Sequence, residues 1–416
     1  MSTLDTAMTK EERAMSETRT RVVPWVISHR GQASSGSVIR EITKRLQRLP
    51  DAISFAGGLP APETFPVDAI RECFDTVLRR EGKRALQYGP SDGYPPLRAW
   101  IAETMSVDGV HVSPDQVLIV SGSQQGLELL GTLLLNEGDA VLVETPTYVG
   151  ALQALALHGA QFVSVRSDEG GLIPSALAEA AQNSTRRNAF LYTIPSFQNP
   201  TGNTLSEQRR IDLVDEAARL GLPIIEDDPY GWLDHQGTRR RTLHSLNPEG
   251  VVFLGSFSKI LSPGIRLGYV VVPATLSARL ERIKQAADLH TSMITQMAIY
   301  ELLKTGFLDS HLPVLRQLYR RKCDAMIQAL GVHFPAGATW CRPEGGMFVW
   351  VTLPEHLDAT ALLEDALDAG VAFVPGSGFY ANAPRVNTMR LSFATVSVEQ
   401  IETGIERLGR LLAAKR

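Results

Sequence analysis

Cysteine is scarce in this chain: three residues in 416, Cys73, Cys323 and Cys341. None stands in a CxxC pair, and none has a histidine at metal-ligand spacing. That excludes a disulfide framework and a zinc site as organising features. No metal is expected, and a reducing cytoplasm is the natural compartment. Long apolar runs are missing too. The stretch from Leu127 to Leu135 is far too short to cross a bilayer, so no membrane partner is expected. Charge of one sign is not concentrated anywhere. The formal net charge is −4, and the one basic cluster, Arg239-Arg240-Arg241 between His235 and His244, reads as a solvated loop. No nucleic-acid partner is expected from it. Residues 1–20 mix charged and small polar types without the apolar core of a secretory signal, and they read as a disordered tail.

What the chain does have is length and apolar content, 44% of residues being hydrophobic. That suits a large domain with a smaller one. Between residues 117 and 272 one pattern recurs: a short aliphatic or β-branched run, a turn, a helical segment. The runs cover 117–120, 140–143, 161–165, 189–192, 223–225, 251–254 and 267–272. Runs this short and this continuously apolar read as strands buried on both faces. Ser206 to Leu220 reads as one of the helices between them. Ser206 caps it, Ile211, Val214, Ala217 and Ala218 recur at helical spacing, and Gly221 followed by Pro223 stops it.

Alternating strands and helices predict an α/β fold whose large domain holds a mostly parallel seven-stranded sheet. Ligands of such sheets bind beyond the carboxyl ends of the strands. After about Pro335 the pattern changes. Residues 347–351 and 389–393 read as strands of a smaller α+β domain formed by the N- and C-terminal segments, and 38–46 as an early helix. The expected division is a tail 1–20, an N-terminal arm 21–70, a large domain 71–320 and a small domain 321–416.

The residues that carry chemistry stand at predicted strand ends. Lys259 closes Gly255-Ser-Phe-Ser-Lys259, with Arg266 seven residues on. A lysine in apolar company has a lowered pKa and attacks aldehydes; the alternative is a surface lysine on a loop. Ser121-Gly-Ser-Gln-Gln-Gly126 follows a strand and opens a helix. A Gly/Ser turn there offers free N–H groups to a phosphate, although ordinary capped turns look the same. Ser256, Ser258 and Arg266 would add donors to the same dianion. Glu226-Asp-Asp-Pro-Tyr230 follows the 223–225 run. A carboxylate there can pair with a pyridinium nitrogen and the tyrosine can donate to a phenolate. A metal site or a solvated turn are the alternatives, and no histidine supports a metal. Asn199, in Asn199-Pro-Thr-Gly202, marks a turn whose amide can donate to the same phenolate and meet a substrate carboxylate.

Taken in order, the motifs 55–66 (Phe55 to Pro66), Gln87-Tyr-Gly89, Gly122-Ser-Gln-Gln125, Pro195 to Gly202, Glu226 to Tyr230 and Gly255 to Lys259 carry a family resemblance. From about Ser37 to the C-terminus the chain resembles fold-type-I pyridoxal 5′-phosphate (PLP) enzymes of the class I/II aminotransferase group, within it the 2-aminoadipate/kynurenine aminotransferase branch. The resemblance implies that Lys259 binds the cofactor covalently, that Asp227 pairs with its ring nitrogen, and that Tyr230 and Asn199 contact its phenolic oxygen. It implies that Tyr148 stacks on the ring, and that Ser123, Gln124, Ser256, Ser258 and Arg266 hold the phosphate. Arg390 would grip the substrate α-carboxylate, with Gly58 and Asn199 beside it. Tyr88 would reach the phosphate of a neighbouring subunit, which implies a homodimer.

The activity so implied is transfer of an amino group from an L-amino acid to a 2-oxo acid such as 2-oxoglutarate. The same framework serves β-elimination and decarboxylation. Related domains also act as non-enzymatic PLP sensors behind an N-terminal winged helix, for which about forty preceding residues are too few. In adipate-using relatives an arginine of the arm holds the distal carboxylate. Here Ser37-Val-Ile-Arg-Glu41 keeps the helix start, while 31–36 read Gly-Gln-Ala-Ser-Ser-Gly and the nearest preceding arginine is Arg30. A dicarboxylate would then bury a poorly paired charge. Large uncharged or aromatic donors, or an unusual specialised amino acid, are expected.

Overall fold

The computed structural model describes residues 25–32, 38–46, 48–49, 51–107 and 109–415. The expected tail 1–20 and the arm stretch 33–36 lie outside these. Seven strands form the central sheet: β1 Val117–Val120, β2 Ala140–Glu144, β3 Gln161–Val165, β4 Asn188–Thr193, β5 Ile224–Asp228, β6 Val251–Ser256 and β7 Gly268–Val271. Their order is β1-β7-β6-β5-β4-β2-β3. β7 runs antiparallel to both neighbours, and every other pairing is parallel. The expectation of strands buried on both faces fails at β3, which is exposed or half-buried until Val165. It is the last strand of the sheet, with a partner on one side only.

Period-two alternation divides the core into two layers. Val141, Val143, Phe190, Tyr192 and Ile225 belong to one apolar cluster. Leu142, Leu191 and Ile224 belong to another, under the helices Ala176–Asn183 and Glu207–Arg219. Asp227 follows Ile225 by two residues and so continues onto the first face, whereas Glu226 faces the second.

A second sheet holds β8 Thr339–Trp340, β9 Phe348–Thr352, β10 Val374–Pro375 and β11 Thr388–Ser392, in the order β8-β9-β11-β10, all antiparallel. Ile53–Ser54 pairs in parallel with Val371–Ala372, so the N-terminal segment is stitched onto the C-terminal one. Phe55 continues this by donating to Ala372 O (2.8 Å) and accepting from Ser392 N (2.8 Å). The 27-residue helix Phe307–His333 runs without a break across the expected domain boundary at 320/321. Among the described residues no helix is long and apolar enough to cross a membrane.

Helix Glu207–Arg219 begins as expected, with Ser206 Oγ accepting from Arg209 N. Its Arg210 is fully buried and ties down the loop that follows β4. The guanidinium donates to Leu205 O (3.0 Å), Pro195 O (2.8 Å), Ser196 Oγ (3.0 Å) and Arg241 O (3.0 Å). The basic cluster is less solvated than expected, because acceptors lie within reach: Arg239 donates to Thr104 O and Arg240 lies 2.6 Å from Glu344 and 3.2 Å from Asp234. Replacing Arg210 leaves several buried carbonyls unpaired. Arg210→Ala is expected to cost about 3 kcal/mol, read as a lower urea midpoint at unchanged slope. A midpoint within experimental error of wild type would contradict this role.

Candidate active site

The carboxyl ends of β1, β2, β4, β5 and β6 meet the second sheet around a cavity of about 660 Å³. Of the residues singled out from the sequence, all but Tyr88 line it: Gly58, Ser123, Gln124, Tyr148, Asn199, Asp227, Tyr230, Ser256, Ser258, Lys259, Arg266 and Arg390. Tyr88 is 77% exposed and packs edge-on against His290.

Lys259 stands just past β6. Its Nζ donates to Gly58 O at 2.8 Å, so the N-terminal segment closes over the amine. Burial pushes its pKa down to about 8, and the positive charges of Arg390 and Arg266 add to this, partly offset by Asp227. A lysine in that range is about one-tenth unprotonated at pH 7, far more than an ordinary lysine, and can attack an aldehyde.

Asp227 lies near the end of β5, 2% exposed. Its Oδ2 accepts from Tyr192 Oη at 2.7 Å, and its Oδ1 is buried without a partner among the described residues. Burial pushes its pKa up to about 7; the Tyr192 bond and Lys259 oppose this and Asp228 adds to it. The two flanking acids are occupied elsewhere. Glu226 accepts from Leu243 N (3.0 Å) and His244 N (2.9 Å), and Asp228 Oδ1 accepts from Gly231 N (2.7 Å). Of the three acids, Asp227 is the one turned to the cavity with an oxygen to spare.

Arg390 comes from the middle of β11, fully buried, its guanidinium 4.3 Å from the Phe348 ring centre and 5.1 Å from that of Phe379. Nη1 donates to Asn199 Oδ1 (2.9 Å) and Nη2 to Ala56 O (2.8 Å), while Nε has no partner among the described residues. Burial pushes even this guanidinium down, to about 10. An anionic ligand would restore the charge balance that burial removes. Asn199 Nδ2 also donates to Tyr230 Oη at 3.5 Å. The turn bearing Asn199 is pinned from behind. Gln198 Oε1 accepts from Thr201 N (2.8 Å), and Gln198 Nε2 donates to Pro146 O (2.8 Å) and to Glu144 Oε2 (3.3 Å).

An anion cradle lies opposite. Ser123 opens the 12-residue helix Ser123–Leu134 after Gly122, whose φ of 82° favours glycine. A Cβ there would come within 2.5 Å of Arg266 Nη2, so only glycine lets the guanidinium approach this helix end. Arg266 is itself left-handed, at φ 49° and ψ 51°, and donates to Ser121 O (3.1 Å). Strain of this kind persists where surrounding structure imposes it. Ser256 Oγ accepts from Ser258 N (3.1 Å) at the end of β6. Gly150 makes room for the Tyr148 ring, which a Cβ would meet at 2.4 Å.

The sequence did not point to Tyr192, nor to the aromatic pair around Arg390. Tyr192 sits inside an apolar run and reads as core. The signal that finds it is register: Tyr192 lies opposite Ile225, hence on the Asp227 face. The donor set fits PLP. It holds an amine for an aldehyde, a spare buried carboxylate oxygen for a pyridinium N–H, and a helix end with an arginine for a phosphate.

The family model for aminotransferase class I and II matches residues 53–408. The chain is 46% identical over 380 residues to the 2-aminoadipate transaminase of Thermus thermophilus, covering 90% of this chain and 94% of that protein. It is 42% identical over 390 residues to aromatic-amino-acid aminotransferase 1 of Thermococcus litoralis, covering 92% and 93%. Among solved structures, α-aminoadipate aminotransferase from Thermus thermophilus, complexed with N-(5′-phosphopyridoxyl)-L-leucine, aligns with a TM-score of 0.87 at 44% identity, covering 94% of this chain and 97% of that one.

The site's electrostatics have a direct readout. In the cofactor-free chain the rate of reductive methylation at Lys259, followed by mass spectrometry, is expected to rise with pH through a midpoint near 8. Only the unprotonated amine reacts. Arg390→Gln removes a positive charge that depresses the lysine, so the midpoint should move upward; a downward move would contradict the assignment.

Proposed function

The chain belongs to the class I and II aminotransferase family, and from that premise we propose that it uses PLP held at Lys259 to move the amino group of a large, uncharged or aromatic L-amino acid to a 2-oxo acid such as 2-oxoglutarate. One observation carries the reading: a lysine with a depressed pKa and a carboxylate with a free buried oxygen share one cavity with an anion cradle. When bound, PLP supplies an aldehyde for the amine and a cationic ring that takes up the electrons released at the donor's α-carbon.

The rest falls to the chain's own residues. Asp227 Oδ1 holds the proton on the ring nitrogen. Tyr230 and Asn199 hold the phenolic oxygen, and Tyr148 covers one ring face. Ser123, Gln124, Ser256, Ser258 and Arg266 take the phosphate. Arg390 orients the donor through its α-carboxylate, beside Gly58 and Asn199. Lys259 Nζ would act as the base and acid that moves the proton at the donor's α-carbon. The same reading makes the active unit a cytoplasmic homodimer in which exposed Tyr88 of one copy reaches the phosphate site of the other. Arg390 and Asn199, placed to hold a carboxylate, favour amino-acid substrates, with β-elimination and decarboxylation as the alternative reactions of the same framework.

The donor preference rests on the arm. Arg30 is exposed, and residues 31–36 offer no charged partner for a distal carboxylate. Single-turnover conversion with 2-aminoadipate, phenylalanine, tyrosine, leucine and methionine is expected to favour the uncharged donors. A clear advantage for 2-aminoadipate, lost in Arg30→Ala, would reverse this choice.

Two substitutions test the chemistry. Lys259→Ala should lose turnover and the visible band of covalently held cofactor. Asp227→Ala should lose at least ~10²-fold in the proton-transfer step, with a far smaller change in Asp228→Ala, whose carboxylate caps a turn. Retained turnover in Lys259→Ala, or damage concentrated in Asp228→Ala, would contradict the assignment.

A further inference from the structure

We propose that Tyr192 is the positioning residue for Asp227, its hydroxyl fixing one carboxylate oxygen so that the other is presented, ionised, to the cofactor's ring. Tyr192 is fully buried in β4 and does not line the cavity, so it acts only through its neighbour. Its Oη lies 2.7 Å from Asp227 Oδ2. This is the one hydrogen bond that Asp227's carboxylate makes to a side chain among the described residues, and Oδ1 makes none.

The direction of the bond is settled by chemistry. Burial and the nearby charge of Asp227 push the phenol well above its usual range, with Tyr148 and Glu144 adding to this, so Tyr192 stays protonated and donates. A donor on one carboxylate oxygen fixes the plane of the group and favours its charged form. The other ionisable groups around Asp227 are Asp228 on its own strand, Lys259 past β6, and Tyr230 beyond the turn. Asp228 disfavours the charged form and Lys259 favours it. None of these is hydrogen-bonded to Oδ2, so among the described residues the Tyr192 hydroxyl has no substitute.

This inference rests on the role given to Asp227 in the proposed function, and its test separates the two. In the full-length, cofactor-free chain carrying ¹³C-labelled aspartate, the protonated Asp227 carboxyl band is followed by infrared difference spectroscopy, with Asp227→Asn assigning the band. Wild type is expected to titrate near 7. Tyr192→Phe keeps the ring and removes the hydroxyl, and the midpoint should rise by about one unit, the size of one hydrogen bond to a charged group. With PLP bound, kcat should fall roughly tenfold while KM for the donor is unchanged. Placing 3-fluorotyrosine at position 192 gives a stronger donor in an undisturbed fold and should move the midpoint down. An unmoved midpoint in both chains, or a lowered melting temperature as the only effect of Tyr192→Phe, would overturn the proposal. Failure of wild type to bind PLP covalently at Lys259 would instead overturn the function on which it rests.

Discussion

Ionisable groups are costly to bury, and this fold brings the side chains of Lys259, Asp227 and Arg390 around one cavity at the ends of its strands. Each is perturbed by burial in the direction that weakens its charge: the lysine and arginine downward, the aspartate upward. Their mutual placement decides what they can do. Burial, with the charges of Arg390 and Arg266 added, depresses Lys259 toward the range of a usable nucleophile, while Lys259 and Tyr192 together keep Asp227 from rising further. A dianionic, ring-bearing cofactor and a carboxylate substrate supply the charges that this arrangement lacks.

The scaffold works by sending adjacent residues to different tasks. Along β5 the alternation turns Glu226 to one face, where it accepts from two backbone N–H groups of a helix start, and Asp227 to the other. Asp228 caps the turn that carries Tyr230. The second sheet contributes from the opposite side. β11 holds Arg390 between two aromatic rings, and the N-terminal segment, stitched to that sheet, brings the carbonyls of Ala56 and Gly58 to Arg390 and Lys259. The site therefore exists only where the two sheets meet.

Much of this was legible in the residue order. Lys259, Asp227 and Asn199 each follow a short apolar run, and the rule that ligands sit beyond strand ends is enough to place them together. All seven runs became strands of one sheet. What the sequence hid was tertiary. Tyr192 looks like one more core aromatic until the β4–β5 register sets it beside Asp227. Glu144 and Gln198, fifty-odd positions apart, pin the Asn199 turn through a contact no local pattern encodes. That β3 would be an exposed edge depends on strand order. The helix Phe307–His333 crosses the expected domain boundary because a continuous helix gives no compositional break at residue 320. Tyr88 is exposed and does not line its own chain's cavity, so a single chain gives no sign of the role across two copies proposed for it.

The central claim is that the free oxygen of Asp227 keeps a bound pyridine ring protonated. The most direct measurement is the ¹⁵N NMR shift of ring-labelled PLP reconstituted into the wild-type chain at neutral pH. A shift in the pyridinium range, moving to the neutral pyridine range in Asp227→Asn, is the result predicted. A neutral ring in the wild-type enzyme, or a pyridinium shift indifferent to the loss of the Asp227 carboxylate, would contradict it.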